Sequence, residues 1–362
     1  MQINRLHMEN FRNYSWEEAE FDAGLNLITG KNAQGKSNLL EAIGYLSMSS
    51  SFRGCGEGEM IQWGKEYFYL QADIESQNEV FSLSAAVNKQ KRRKWRIDQQ
   101  VCRRLGEIIG RFHTVTFAPE DLLLIKGGPA LRRRYINRQM CQLYPEYFSL
   151  LIRYNQVVKQ RNQCLKQQRE DLLPLWDRQF IDLAAKITAR RLQLIEALGP
   201  VVENVQESLK QGEKLTLCYQ SQGLSPEAEN DEESIRQQLT LQLERLRKGE
   251  LYRGMSLCGP HRDDLSIDVD GVSSRAYASQ GQQRSAALAL KLAELAVARE
   301  IRGEYPVLLL DDVLSELDGQ RQKNLLRLTV GKTQTFLTAT RFSFSQGRQW
   351  HVEKGKLTCP AK

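Results

Sequence analysis

No run of about 18 uncharged apolar residues occurs in the 362 residues, so no membrane-spanning helix is expected. The seven cysteines (Cys55, Cys102, Cys141, Cys164, Cys218, Cys258 and Cys359) form no C-x-x-C pair and no metal-ligand spacing. They read as reduced thiols, with neither a disulfide framework nor a zinc site. The first residues carry Arg5, His7, Glu9 and Arg12 without an apolar core region, so no secretory signal is expected and the cytoplasm is the default compartment. Polar segments such as Tyr147 to Leu165 lack sustained heptads, which argues against a coiled-coil arm.

Present instead is a globular balance, 41% hydrophobic and 26% charged, in a chain long enough for two lobes. Lysine and arginine outnumber acidic residues 51 to 44, and the net charge of +7 favours a polyanionic partner. Lys89, Lys91, Arg92, Arg93, Lys94, Arg96, Arg103 and Arg104 crowd one stretch around Trp95. Two readings of this run stand. It is a solvated hairpin face, or it is a DNA surface in which Arg92, Arg93, Lys94 and Arg96 meet phosphates while the Trp95 ring packs on Lys or Arg stems.

Three distant segments carry the chemistry. Gly30-Lys31-Asn32-Ala33-Gln34-Gly35-Lys36-Ser37 fits the phosphate-loop pattern G-x-x-x-x-G-K-[ST] in full, after the apolar run Leu25 to Ile28 and before a helix-like segment from Ser37. In that setting backbone N–H groups of the loop and of the helix start converge on the phosphates of ATP, with Asn38 among the cofactor-binding residues. Lys36 adds a point charge at the β- and γ-phosphates, and the Ser37 hydroxyl ligates Mg2+. Val307 to Leu310 reads as a buried parallel strand ending in Asp311-Asp312, two carboxylates that a core accepts only with a cation or polar partners. Asp311 is then the Mg2+ ligand and Asp312 the general base for the attacking water. Roughly 270 residues separate the two motifs, so the chain leaves the nucleotide domain and returns to it.

The third segment, Ser279-Gln280-Gly281-Gln282-Gln283-Arg284, precedes a helical pattern from Ala286 to Ala298, with Ser279 as a candidate N-cap. It is a polar loop capping a core helix, or an anion site at a helix start. It resembles the signature motif of ABC ATPases. That resemblance implies that Ser279, Gln280, Gly281 and Gln282 face the γ-phosphate bound by a second copy, so that the site is complete only in a homodimer. Ser315-Glu316-Leu317-Asp318 is similar to the D-loop of the same class, or is a helix-capping turn. Strand Thr335 to Thr338 ends where transporter-type members place a switch histidine, yet Thr338, Ala339 and Thr340 stand there. A threonine hydroxyl carries no positive charge, so slow hydrolysis is expected.

Four further segments narrow the resemblance: Leu6 to Tyr14, Pro119-Glu120-Asp121 with Lys126 to Ile136, Tyr277 to Arg284, and Leu309 to Arg321. Together they resemble the RecF family of SMC-like ABC ATPases, over nearly the whole chain, and Gly259-Pro260-His261-Arg262-Asp263 also recurs there. The resemblance implies an α/β, ABC-type head, a mixed sheet around the phosphate-loop helix, with an inserted, mainly helical lobe. It also implies a weak, DNA-stimulated ATPase that dimerises with ATP and Mg2+ on duplex, gapped or junction DNA. Such a protein would act in recombinational repair, replication restart and SOS induction, helping to load RecA beside RecO and RecR. Asn137 stands where the family usually has Asp, which puts a local charge contact in doubt. The alternatives are another SMC-like DNA-sensing clamp, for instance in defence against foreign DNA, and the nucleotide subunit of a transporter. The latter would need a switch histidine and a membrane partner. A lone histidine such as His261 reads first as structural, with contact to nucleotide or DNA as the alternative.

Periodicity divides the chain into an ATPase half at 1–120, a helical lobe at 121–255, and a second ATPase half at 256–362. Phe68 to Ile74 and Val80 to Ala85 alternate as antiparallel strands. Pro129 falls in a first helical turn, Pro174 near another helix start, and Gly199-Pro200 at a break. Gln220 to Glu233 reads as a mobile connection before a helix from Ile235 to Leu246. Leu265 to Val269 and Val272 to Tyr277 read as a hairpin around Asp270-Gly271, a type I′ turn.

Overall fold

The computed structural model describes residues 1–209, 212–224, 231–342, 344 and 346–359, and only the backbone of Glu316. Residues 225–230 of the expected connection lie outside the described residues, as does the Glu316 side chain of the D-loop-like segment. Two compact units emerge: Met1–Leu122 with Asn204–Gly212 and Arg284–Lys362, and Leu123–Glu203 with Glu213–Gln283.

The first unit holds two six-stranded sheets. In the largely parallel one the strand order is Lys356–Thr358, Arg348–Glu353, Leu25–Thr29, Thr335–Thr338, Val307–Leu310, Thr114–Phe117, with only the first pair antiparallel. Its apolar, non-alternating sequences follow from cover on both faces; Val307, Leu308 and Leu309 are fully buried. Thr338 pairs with Ile28, and Leu337 with Leu310, so three neighbouring strands end level with one another. Ligands bind at such carboxyl ends in open α/β sheets.

The second sheet is antiparallel, in the order Tyr14–Glu20, Gln2–Phe11, Tyr67–Ser76, Glu79–Asn88, Arg93–Ile97, Gln100–Cys102. Its alternation buries Leu6, Met8, Phe68, Leu70, Leu83 and Ala85 in the core shared with helix Lys36–Met48. On that helix Tyr45 meets Phe68 edge-on at 5.4 Å and stacks on Trp95 at 5.7 Å, 14° from parallel. The expected antiparallel strands and the mixed sheet around the phosphate-loop helix are thus present.

The second unit contains helices Pro129–Leu143, Pro145–Lys166 and Glu232–Arg253, most of Leu173–Leu209, and a three-stranded sheet. Pro129 occupies the first turn of its helix. Gly199-Pro200 does not break the chain: Pro200 lies inside Leu173–Leu209. The lost hydrogen bond and ring clash of an interior proline cost about 3 kcal/mol. Burial of Leu194, Leu198 and Val202 on one helical stripe opposes that cost. The expected connection also ends early, because Asp231 caps helix Glu232–Arg253 by accepting from the N–H groups of Glu233 and Ser234.

Strand Asp264–Val269 pairs along its length with Leu215–Gln220. Residues 256–283, expected with the C-terminal ATPase half, accordingly group with the second unit. The hairpin turns at Asp270 and Gly271, both at positive φ (53° and 76°) as a type I′ turn requires. Its second strand is only Val272–Ser273, since Ser274–Tyr277 forms a helical turn. No described helix is long and apolar enough to cross a membrane.

Candidate functional site

The phosphate loop bridges strand Leu25–Thr29 and helix Lys36–Met48, with Lys31, Asn32 and Ala33 exposed and Gln34 half-buried. Gly30 has φ 150° and a Cβ there would lie 2.4 Å from the Val352 carbonyl; Gly35 has φ 123° and a Cβ would strike the Asn13 amide at 2.8 Å. Only glycine fits either position. The loop is clamped from outside: Asn13 Nδ2 donates to the Gln34 carbonyl at 2.7 Å and Tyr14 Oη to the Gly35 carbonyl at 3.0 Å. Asn38 Nδ2 donates to Asn13 Oδ1 at 2.8 Å, and the Lys354 N–H to Gln34 Oε1 at 2.7 Å. Asn13 and Tyr14 end the N-terminal sequence match, yet reading the loop alone gave them no part in the site.

Lys36 is buried, and its ammonium donates to the carbonyls of Gly30 and Lys31 at 2.8 and 3.0 Å. Burial pushes its pKa below the usual lysine range, against the attraction of Asp312 and Asp311. The Ser37 hydroxyl donates to Asp311 Oδ1 at 2.8 Å. The Thr338 hydroxyl donates to the same oxygen at 2.8 Å and accepts the Asp312 N–H at 2.9 Å. Asp311 is buried, and its N–H reaches the Phe117 carbonyl at 2.9 Å. Asp312 is exposed, turned outward by left-handed backbone (φ 51°, ψ 27°). Residues 30–38, 311–312 and 338, more than 270 positions apart in sequence at the extremes, therefore share one end of one sheet. Arg284, the last residue of the signature-like segment, lines a cleft with Asp311, Asp312 and Val313.

These groups suit a nucleotide phosphate chain with a divalent cation. The loop has no room for a Cβ at Gly30 or Gly35, a lysine is held by neutral carbonyls, and a carboxylate shares a hydrogen bond with a serine hydroxyl, both of them hard oxygen ligands. A wider cleft of about 720 Å3 elsewhere in the unit, lined by Ser208, Asp318, Arg321 and Asn324, brings none of these groups together.

The other expected residues are placed as follows. In the second unit, Ser279 and Gln280 are exposed and Gly281 and Gln282 half-buried at the start of helix Gln280–Arg302. Ser279 Oγ accepts the Gln282 N–H at 3.2 Å while Gln282 Oε1 accepts the Ser279 N–H at 2.8 Å, a reciprocal cap. In the D-loop-like segment, Ser315 Oγ donates to the Asp312 carbonyl at 2.7 Å, and Asp318 caps helix Gly319–Thr329 through the Arg321 N–H at 3.0 Å. Asn137 Oδ1 accepts from Tyr147 at 3.0 Å and from Arg191 at 2.8 Å, so this position makes polar contacts without a charge of its own. Of the family-like arginines, Arg132 binds Asp264 through two nitrogens at 2.8 and 2.7 Å.

The basic stretch behaves differently from its DNA-surface reading. Trp95 is 4% exposed and belongs to the core against Tyr45, so it stacks on no exposed Lys or Arg stem. The pleat puts Arg93 on the Trp95 face and Lys94 and Arg96 on the other. Arg93 pairs with Glu57 at 2.8 Å, and Lys89 with Glu66 at 2.7 Å. Arg92 and Lys94 are exposed and Arg96 is half-buried, so the three arginines and one lysine named for phosphate contact do not form one patch. His261 is mostly enclosed, its Nδ1 2.7 Å from Tyr154 Oη, between the rings of Tyr154 and Phe180, in line with its structural reading.

The model of the family described as RecF/RecN/SMC N terminal domain matches residues 2–350. The DNA replication and repair protein RecF of Bacillus subtilis (strain 168) is 39% identical over 370 residues, covering 99% of this chain and 100% of its own length. The protein of the same name from Halothermothrix orenii is 39% identical over 350 residues, covering 94% and 93%. A solved structure described as the recombination mediator protein RecF-ATP in the RecFOR pathway aligns with a TM-score of 0.93 at 37% identity, covering 99% of this chain and 97% of that one. An Smc head bound to the C-winged helix domain of ScpA shares the fold alone, with a TM-score of 0.59 at 15% identity over 99% and 97% of the two chains. The chain thus belongs to the RecF family, with the SMC-like ABC-type ATPase-head fold its motifs led us to expect.

Proposed function

We propose that this chain is an ATP-binding DNA replication and repair protein that hydrolyses ATP slowly and dimerises around it on gapped or duplex DNA. One observation carries the reading: the row Ser37, Asp311, Thr338 and the Asp312 N–H, hydrogen-bonded at the level ends of three strands beside the phosphate loop. In this reading the first unit is the nucleotide lobe and the second is the helical insertion. Residues 30–38 cradle the phosphates, with Lys36 supplying the charge that holds the β- and γ-phosphates. Ser37 and Asp311 hold Mg2+, which when bound neutralises charge developing on the phosphate oxygens. Asp312, exposed beside them, accepts the proton of the attacking water. Ser279, Gln280, Gly281 and Gln282 meet the γ-phosphate on a second copy, using the N–H groups of their helix start.

The names of its relatives support the replication and repair setting, and the RecFOR description of one solved neighbour supports partners of the RecO and RecR kind. Without an imidazolium at Thr338, turnover is slow enough for the ATP-bound dimer to persist and for hydrolysis to mark its release. Turnover should rise on adding gapped DNA and stay level on adding lipid vesicles. Equal rates with DNA, with vesicles and with neither would remove the DNA part of the reading.

A further inference from the structure

Strand Thr335–Thr338 lies between Leu25–Thr29, which feeds the phosphate loop, and Val307–Leu310, which feeds Asp311-Asp312. Its last residue, Thr338, is fully buried. A hydroxyl has one proton to give, and Thr338 gives it to Asp311 Oδ1 at 2.8 Å while a lone pair receives the Asp312 N–H at 2.9 Å. That N–H belongs to a residue in the left-handed region, a conformation costing a non-glycine residue about 1–2 kcal/mol that the surroundings must hold in place. A hydroxyl so engaged has no proton left for a γ-phosphate oxygen. We infer that Thr338 is a positioning residue rather than a phosphate contact: it clasps Asp311 and Asp312 together and fixes the backbone that aims the Asp312 carboxylate.

The inference rests on the ATPase reading only for its consequence, because the clasp itself is a feature of the protein alone. Thr338→Val keeps the β-branched shape and strand preference and removes the hydroxyl; Thr338→Ser keeps the hydroxyl. In the protein without nucleotide, the Asp312 amide of Thr338→Val should exchange with solvent about tenfold faster than in the wild type, as the loss of one hydrogen bond allows. Thr338→Ser should exchange as the wild type does. For turnover, a misaimed base predicts a kcat about a hundredfold lower in Thr338→Val, with KM and the ratio of ATP to ADP affinity unchanged and kcat restored in Thr338→Ser.

Unchanged amide exchange in Thr338→Val overturns the clasp whatever the turnover. A selective loss of ATP affinity relative to ADP also overturns it, because it makes Thr338 a γ-phosphate contact. An absence of turnover in the wild-type protein would instead defeat the ATPase reading, and the exchange measurement would still decide the clasp.

Discussion

Two carboxylate clusters in this molecule are satisfied in different ways. In the helical unit, Arg161 is fully buried and reaches Asp177 at 2.7 Å and the equally buried Glu250 at 2.5 Å, while Arg247 also binds Asp177. There ion meets ion. At the sheet end of the first unit, Asp311 is held by the hydroxyls of Ser37 and Thr338, and Lys36 by two backbone carbonyls. There ions meet neutral dipoles, so much of the electrostatic energy of each charge is left for a charged ligand. The first arrangement seals a core, and the second is what a phosphate and cation site requires.

The sharpest way to break this contrast is to remove one cation from each cluster. Arg161→Ala strands Glu250 without its cation in the interior and should destabilise the protein by about 3–5 kcal/mol in urea unfolding. Lys36→Ala removes an ammonium that burial already disfavours, so it should leave stability within about 1 kcal/mol of wild type and abolish ATP binding in calorimetry. If Lys36→Ala unfolds as readily as Arg161→Ala, Lys36 is structural and the contrast fails.

A proton offers a milder probe of the sealed unit. Burial pushes the His261 pKa from 6.5 down to about 4. The unfolded chain therefore takes up a proton in that window which the folded chain refuses, and stability falls with pH by about 3 kcal/mol by the lower end. Asp263 acts the other way: burial raises its pKa, so its contribution is present in acid and lost as pH rises. His261→Gln should therefore flatten the decline of stability between pH 6.5 and pH 4. An unchanged slope would mean that His261 is already protonated in the fold.

The smallest expected effect concerns the basic stretch. With Arg93 committed to Glu57, Trp95 in the core and Arg96 half-buried, Arg92 and Lys94 are the exposed central residues left to meet phosphates. Arg92→Glu with Lys94→Glu should lower the slope of log K against log salt for duplex DNA by about 2, at roughly 0.9 per phosphate contact, without altering ATP affinity. A wild-type slope would move the DNA surface off this hairpin.

What the sequence disclosed follows the range of the interactions involved. The phosphate loop and strand Val307–Leu310 were legible because motif and burial pattern are written in consecutive residues. The burial of Trp95 is written in a period-2 pattern, Trp95 and Ile97 inward and Lys94 and Arg96 outward, that the dense charges around it mask. The continuity of helix Leu173–Leu209 through Pro200 was hidden, since a local breaker yields only to packing that sequence does not display. Likewise, nothing near residue 256 reveals that Asp264–Val269 pairs with Leu215–Gln220. The hydrogen bond from Thr338 to Asp311 was hidden for the same reason, because it spans 27 residues between adjacent strands.

The central claim is that these groups bind ATP productively only when two copies close around it, with Asp312 limiting how long that state lasts. Sedimentation of Asp312→Asn with ATP and Mg2+ tests it most directly. A variant that binds ATP but lacks the proton acceptor should accumulate as a dimer that does not decay, and adding Ser279→Arg to the same chain should return it to monomer with ATP still bound. A monomer at saturating ATP, or a dimer indifferent to Ser279→Arg, would contradict the account.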